Sequence, residues 1–261
     1  MLNYAILFLF YIAIFHCFLF TISCPPPNPN LYYQPVIGIL SHPGDGTSGR
    51  HSNATGASFI HASYVKFVEA AGARVVPLIY NEPEEKILKV SEKATLPKND
   101  AGDHFPLYAI CLGFELISVI ISEDKNILEE FKAKNQASTL QFVENASIEG
   151  TVFERFPPEL LKKLSTDCLV MQNHVVTRHI PNKVSSFFEI LTTCNDEEDK
   201  VYVSTVRSRN YPVTGFQWHP EVIKKVLYTI EARKSLNRPV AQELYDNLIY
   251  NIVQLFMQKK G

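Results

Sequence analysis

The chain has 261 residues, 46% hydrophobic and 20% charged, with 25 basic against 27 acidic side chains and a formal net charge of −2. That apolar content supplies a full core and excludes wholesale disorder, and the charge balance gives no electrostatic reason to expect a nucleic-acid partner. Five cysteines are too few for a scaffold built on disulfides, and the length fits one α/β domain or two small ones. Ala5 to Ile22 is almost wholly apolar, and Ser23-Cys24 then meets Pro25-Pro26-Pro27, which stops a helix. This reads as a secretory signal peptide over residues 1–24. The rival is a membrane anchor, because the run approaches the roughly 20 residues that span a bilayer. No Lys or Arg precedes the run, and no later stretch is apolar and long enough to span. The remainder is expected to have no stable membrane association once the leader is cut. Asn53-Ala54-Thr55 and Asn145-Ala146-Ser147 fit the N-glycosylation pattern and agree with the leader on compartment.

Residues 25–33 read as a Pro/Asn-rich linker, and one domain is expected over 34–261. Pro35-Val-Ile-Gly-Ile-Leu40 predicts a buried strand, followed by a Gly-rich loop whose spacing matches no nucleotide-binding fingerprint. Ala57 to Ala71 carries apolar residues at helical spacing, among them Phe59, Tyr64, Phe67 and Val68. Gly72 ends that helix and Arg74 to Ile79 is the next strand. Glu82-Pro83-Glu84-Glu85 opens another helix, with Pro in its first turn and acids toward the dipole. This β-α-β-α order predicts a mostly parallel central sheet covered by helices. Further strands are expected over Pro106 to Cys111, Gln141 to Val143, Cys168 to Met171, Phe187 to Thr193, Val201 to Val206 and Val213 to Gln217. Asp196-Glu-Glu-Asp199 reads as a solvated hairpin loop. Helices are expected over Leu112 to Ser122, Lys224 to Lys234 and Ala241 to Gln258.

Cys111 ends an apolar strand directly before a helix. A sharp strand-to-helix turn pushes such a side chain out at the carboxyl end of the sheet and offers the N–H of Leu112 to an oxyanion. The helix N-terminus favours a thiolate there. Small residues two positions to either side relieve crowding at such a turn. Gly113 fills one place, and Ala109 stands where glycine is preferred. A lone Cys in a strand is more often a core residue, and a lone His more often structural. The second element is Gln217-Trp218-His219-Pro220-Glu221, where another strand runs into a polar cluster. A thiolate nucleophile needs a His to take and return its proton, and that His needs an acceptor such as Glu221 to fix its tautomer.

Tyr108-Ala-Ile-Cys-Leu-Gly-Phe-Glu115 with Gln217-Trp-His-Pro-Glu221 resembles the class I glutamine-amidotransferase-like hydrolases. Within them, Pro35 to Leu40, Tyr64 to Glu85, Ala101 to Glu115 and Gln217 to Glu221 resemble the gamma-glutamyl hydrolases, peptidase family C26, of plant type. The resemblance implies a flavodoxin-like fold and cleavage of γ-linked glutamate from folyl- and antifolyl-poly-γ-glutamates, without metal or cofactor. It places the nucleophile on Cys111, the catalytic His on His219, the third position on Glu221 and a substrate-side histidine on His174, in Met171-Gln-Asn-His174. It implies a vacuolar or extracellular location and leaves a homodimer possible.

The chain departs from the family in one respect that matters for chemistry. Members carry a strand ending in Gly-Gly before the nucleophile strand, and its loop donates the second oxyanion N–H. No glycine occurs between Lys89 and Asn99. The stretches after Glu221 and between His174 and Phe187 are also short. The sheet is therefore expected to be one strand short, as from skipped segments. Three functions compete: an active γ-glutamyl peptidase, an impaired variant retaining at most folate binding, and a glutaminase subunit of an amidotransferase. A leader argues against the last.

Overall fold

The computed structural model describes residues 35–44, 57–83, 92–178, 182–222 and 238–257, with isolated positions between 26 and 33. The expected leader, the Asn53 acceptor and the helix expected over Lys224 to Lys234 lie outside the described residues. Among the described residues no helix is long and apolar enough to cross a membrane.

Strand β1 (Val36–Leu40) leads into a small antiparallel pair, β2 (His42–Pro43) with β3 (Ser58–Phe59). Helix α1 (Ala62–Ala70) therefore begins at Ala62 and not at Ala57, because Ser58 and Phe59 are taken up by a strand. Gly72, at φ 86°, turns the chain into β4 (Arg74–Leu78), which pairs in parallel with β1. Helix α2 (Glu92–Asp100) carries Pro97 internally and precedes β5 (Leu107–Ile110). Helix α3 (Leu112–Ser122) starts directly after Cys111, as the apolar run predicts.

Beyond β2, β3 and α2, further elements escape the sequence reading. The first is β6 (Leu128–Ser138), whose Leu-Glu-Glu-Phe-Lys-Ala-Lys-Asn run has too little apolar alternation to signal a strand. It precedes the short β7 (Gln141–Phe142). The second is α4 (Pro158–Thr166), which buries Leu160 and Leu164. Strand β8 (Val170–Arg178) pairs antiparallel with β6 and extends well past the expected Met171. A short helix α5 (Asn182–Ser185) leads to β9 (Phe188–Asn195), β10 (Val201–Ser208) and β11 (Val213–Phe216). The expected hairpin loop joins β9 to β10. Its first residue, Asp196, is buried rather than solvated and accepts from the backbone N–H groups of Lys132, Glu198 and Lys200. Those bonds outweigh the burial and hold its carboxyl below the usual range. Helix α6 (Arg238–Met257) closes the described chain, with Leu244, Leu248, Ile249 and Ile252 buried as their spacing predicts.

The main sheet runs β5-β11-β10-β9-β7. Only β5 and β11 pair in parallel; β11–β10, β10–β9 and β9–β7 are antiparallel. The sheet is thus mixed, and the short β9–β10 and β10–β11 connections explain why: they have room for hairpins and not for crossovers. Helices α1 and α6 cover one side, where Phe67, Leu244, Leu248, Phe216 and Trp218 share a core. On the other side α3 packs Phe114 and Ile117 against Ala109, Val206 and Val213. A Cβ on Gly215 would meet the Phe114 ring at 2.4 Å, so the bare backbone there is what seats α3 on β11.

The parallel pair β1–β4 forms a separate ladder, and among the described residues no strand bridges β1 to β5. This is the place at which the sheet was expected to be one strand short. Phe256 of α6 packs against Tyr108 of β5 and against the Ile37 cluster of β1, so both ladders share one helical layer without sharing hydrogen bonds.

Candidate active site

Cys111 sits at φ 50° and ψ −110°, in a region that non-glycine residues rarely occupy. Such strain persists only where its surroundings impose it. Here the Cys111 N–H is tied to Phe216 O at 2.7 Å on one side, and its carbonyl accepts from Glu115 N at 3.0 Å on the other. The chain is held to the sheet up to Cys111 and to the helix immediately after it, so the side chain is turned out at the carboxyl end of β5. Ala109 is accommodated because a Cβ on Gly113 would meet only the Ala109 Cβ, at 3.9 Å. Leu112 is the first residue of α3. Its N–H therefore has no acceptor within the helix and lies beside the thiol.

The second half of the site follows β11. His219 donates its backbone N–H to Met171 O at 2.9 Å, which docks the loop against β8, and Pro220–Val222 forms a single 3₁₀ turn. That turn brings the Glu221 carboxylate back to its neighbour but one, with His219 Nδ1 and Glu221 Oε1 2.8 Å apart. Glu221 is almost fully buried and His219 mostly so. The contact leaves His219 Nε2 as the nitrogen facing away from Glu221; it is buried and makes no hydrogen bond to the protein. Burial alone would pull the His219 imidazole down. Interaction with the Cys111 thiol and the Glu221 carboxylate outweighs it and holds His219 at about 10. An imidazolium at His219 thus stands between the Cys111 sulfur and the Glu221 carboxylate.

Sequence reasoning missed Tyr64. It lies on α1 within the apolar stripe and reads there as a core residue. In the structure its hydroxyl approaches the Glu221 carboxylate and lies near Cys111. Burial first, and then the two negative partners, push its pKa up, so it stays a neutral donor. The signal that could have found it is a phenol inside a stripe otherwise free of polar atoms. Gln217 and Glu115 also belong to the site. Gln217, fully buried, donates Nε2 to Glu115 Oε1 at 3.1 Å and lies 3.9 Å from Cys111 Sγ. This bond links the strand that carries His219 to the helix that carries the thiol.

His174, expected on the substrate side, lies on β8, near enough to His219 for the two charges to interact. It is buried on β8, edge-on to Tyr202 with ring centroids 4.8 Å apart, and neither ring nitrogen has a hydrogen-bond partner. Burial and the charge of His219 pull it down to about 4, against a smaller pull upward from Asp196. It is a buried, neutral imidazole beside His219. Asn145 is exposed in a turn at φ 65°. Cys168 is exposed, Cys194 is buried, and both are free thiols. Among the described residues no group of three or more His, Cys, Asp or Glu could hold a metal ion.

A strained cysteine between strand and helix, facing a His–Glu pair at the end of the adjacent strand, is the arrangement of a class-I glutamine amidotransferase domain. The family model for Glutamine amidotransferase class-I matches residues 79–230. Gamma-glutamyl hydrolase 1 of Arabidopsis thaliana is 52% identical, over 87% of this chain and 80% of its own length. Gamma-glutamyl hydrolase of Glycine max is 44% identical over 90% and 84%, and that of Homo sapiens 30% over 75% and 70%. The chain belongs to the gamma-glutamyl hydrolase family. Against the Arabidopsis relative, 87% of 261 residues, about 227, faces 279 aligned positions, so about 50 positions of that relative meet a gap here. That is room for a strand with its crossover helix and more.

Proposed function

We propose that this chain is a cysteine-dependent hydrolase of γ-glutamyl bonds in folyl- and antifolyl-poly-γ-glutamates, releasing glutamate or short γ-glutamyl chains. The relatives' names supply the bond type. The observation that carries the reading to named residues is the His219–Glu221 contact of 2.8 Å beside a strained Cys111.

The Cys111 thiolate attacks the γ-carbonyl carbon, and the carbonyl electrons move onto oxygen. The Leu112 N–H is placed to donate to that oxygen. Collapse of the tetrahedral species expels the amine of the departing glutamate, which takes its proton from His219, and leaves a thioester on Cys111. Water then attacks the thioester, giving its proton to His219, and the thiolate is restored. Glu221 fixes the ring so that Nε2 faces the thiol, and Tyr64 steadies Glu221. His174 stands next to the imidazolium and stays uncharged there. The leader would deliver the enzyme to the secretory route, and from there to the vacuole or cell wall, with Asn145 as a glycan acceptor.

The test is hydrolysis of folyl-pentaglutamate by the purified mature protein, with product lengths resolved. Release of shortened folates by the wild-type chain, and none by Cys111→Ser, supports the reading. Full activity in the serine variant refutes the nucleophile, and no release by either refutes the substrate.

A further inference from the structure

Strands β2 and β3 are only two residues long, yet they gather two histidines that the reaction described above does not use. His42 and Phe59 are register partners, so their side chains share a face, and the rings stack with centroids 5.6 Å apart at 23°. His61 follows Phe59 by two extended positions and returns to that face. Its ring meets Phe59 edge-on at 5.0 Å and His42 at 6.1 Å. One turn into α1, the Tyr64 ring lies 6.4 Å from His61, and its hydroxyl approaches Glu221 near Cys111. A strip of four rings therefore leads away from the catalytic set in the order Tyr64, His61, Phe59, His42, and each is partly exposed.

We propose that His42 and His61 form a carboxylate subsite, which holds the α-carboxylate of a γ-linked glutamate one residue away from the scissile bond; the substrate class rests on the hydrolase reading above. Every residue of a γ-glutamyl chain carries a free α-carboxylate, and each needs donors. The groups around the thiol are committed to other work: Glu115 and Glu221 are acidic, Gln217 donates to Glu115, and His219 faces Glu221. An imidazole carries at least one N–H in every protonation state. A ring centre stands about 4 Å from an oxygen to which its N–H donates, so two rings 6.1 Å apart can converge on one carboxylate. Phe59, in contact with both rings, fixes that spacing. One γ-glutamyl repeat is five bonds long, about 6 Å when extended, and the step from the Tyr64 ring to the His61 ring is 6.4 Å. The subsite is thus one repeat from the ring that touches the catalytic set.

Equilibrium dialysis of folyl-triglutamate against the purified mature Cys111→Ser chain reads binding without turnover. Adding His61→Phe or His42→Phe keeps a ring and removes the N–H, and each is expected to weaken binding about tenfold or more, the scale of a hydrogen bond to a charged group. His61→Gln, which keeps a donor, should retain part of the affinity, whereas a stacking role would favour the Phe variant. A folyl-triglutamate with its α-carboxylates converted to carboxamides should bind the Cys111→Ser chain more weakly and lose nothing further in the Phe variants. That comparison stands even if a histidine variant fails to fold by circular dichroism. No binding by the Cys111→Ser chain, parent affinity in both folded Phe variants, or equal affinity for acid and carboxamide would overturn the subsite. Histidine-dependent binding without any hydrolysis by the wild-type chain would uphold the subsite and sink the hydrolase reading instead.

Discussion

The sheet breaks beside the nucleophile strand, and repairing it should raise the rate. In a parallel ladder alternate residues bond to alternate sides. Pro35 O accepts from Arg74 N and Ser41 N donates to Leu78 O, so on β1 the outward groups belong to Val36, Gly38 and Leu40. On β5 the N–H groups of Leu107 and Cys111 go to Pro212 and Phe216, which turns Tyr108 and Ile110 outward. Both edges meet no described strand. A short apolar strand inserted after Leu88 and ending in Gly-Gly has a ladder on either side, and its glycine loop arrives next to Cys111. That loop would supply the second oxyanion N–H, with glycine because bare backbone must approach the carbonyl closely. One such donor is worth about 2.7–4 kcal/mol of barrier, or roughly 10²–10³ in rate. The natural chain should therefore form its acyl-enzyme at least about 100-fold more slowly than the repaired one. The assay is a single-turnover rate on one folyl-γ-glutamate substrate, with circular dichroism confirming that both proteins fold. Equal rates would show that another backbone group already donates to the oxyanion, and the reasoning from the open edges would fail.

Cys111→Ser and His219→Ala should each abolish measurable turnover, because nucleophile and base act as a unit; a rate for His219→Ala within a few-fold of wild type would exclude the proton-transfer role. The alkaline limb of kcat/KM should fall near pH 10, where His219 loses the proton the leaving amine needs, and Glu221→Gln should move that limb to lower pH by removing a charge and a hydrogen bond that raise it. Tyr64→Phe should lower kcat by about tenfold or less, the scale of one hydrogen bond, without changing the fold; an unchanged kcat would remove it from the site. His174 is depressed to about 4 from 6.5, so its neutral burial costs nothing above pH 6.5, and stability is lost as pH falls from there to about 4, by roughly 3 kcal/mol. His174→Gln should flatten the thermal midpoint across that interval, and an unchanged slope would refute the assignment.

That Cys111, His219 and Glu221 come together was legible because each is announced locally. Cys111 sits where an apolar strand abuts an apolar helix, and His219 and Glu221 are close enough in sequence for one 3₁₀ turn to join them. Tyr64 was hidden because periodicity reports that a face is buried and says nothing of what the face touches. His174 was named by resemblance alone, and the run of β8 past Met171, which carries it inward, was not legible. The antiparallel part of the sheet was legible strand by strand but not in direction, since direction depends on loop lengths that a period-2 pattern leaves open. Strand β6 gave no signal because its outward residues are charged and its inward ones few.

The two halves of the site stand on different supports. The proton-transfer half rests on β11, β8 and the His219 turn, which are tied by Gln217 N to Ser204 O and His219 N to Met171 O, and none of these bonds involves the broken edge. The carbonyl-binding half rests on the Cys111 turn, whose outer neighbour is that edge. The open edge on the outer side of β5 therefore leaves the thiol, the imidazole and the carboxylate in place while thinning the donors around the developing charge. Reactivity of Cys111 toward an alkylating agent needs only the first half, whereas turnover needs both. A thiol that alkylates at the rate of a complete relative but turns over substrate far more slowly is what this division of supports requires.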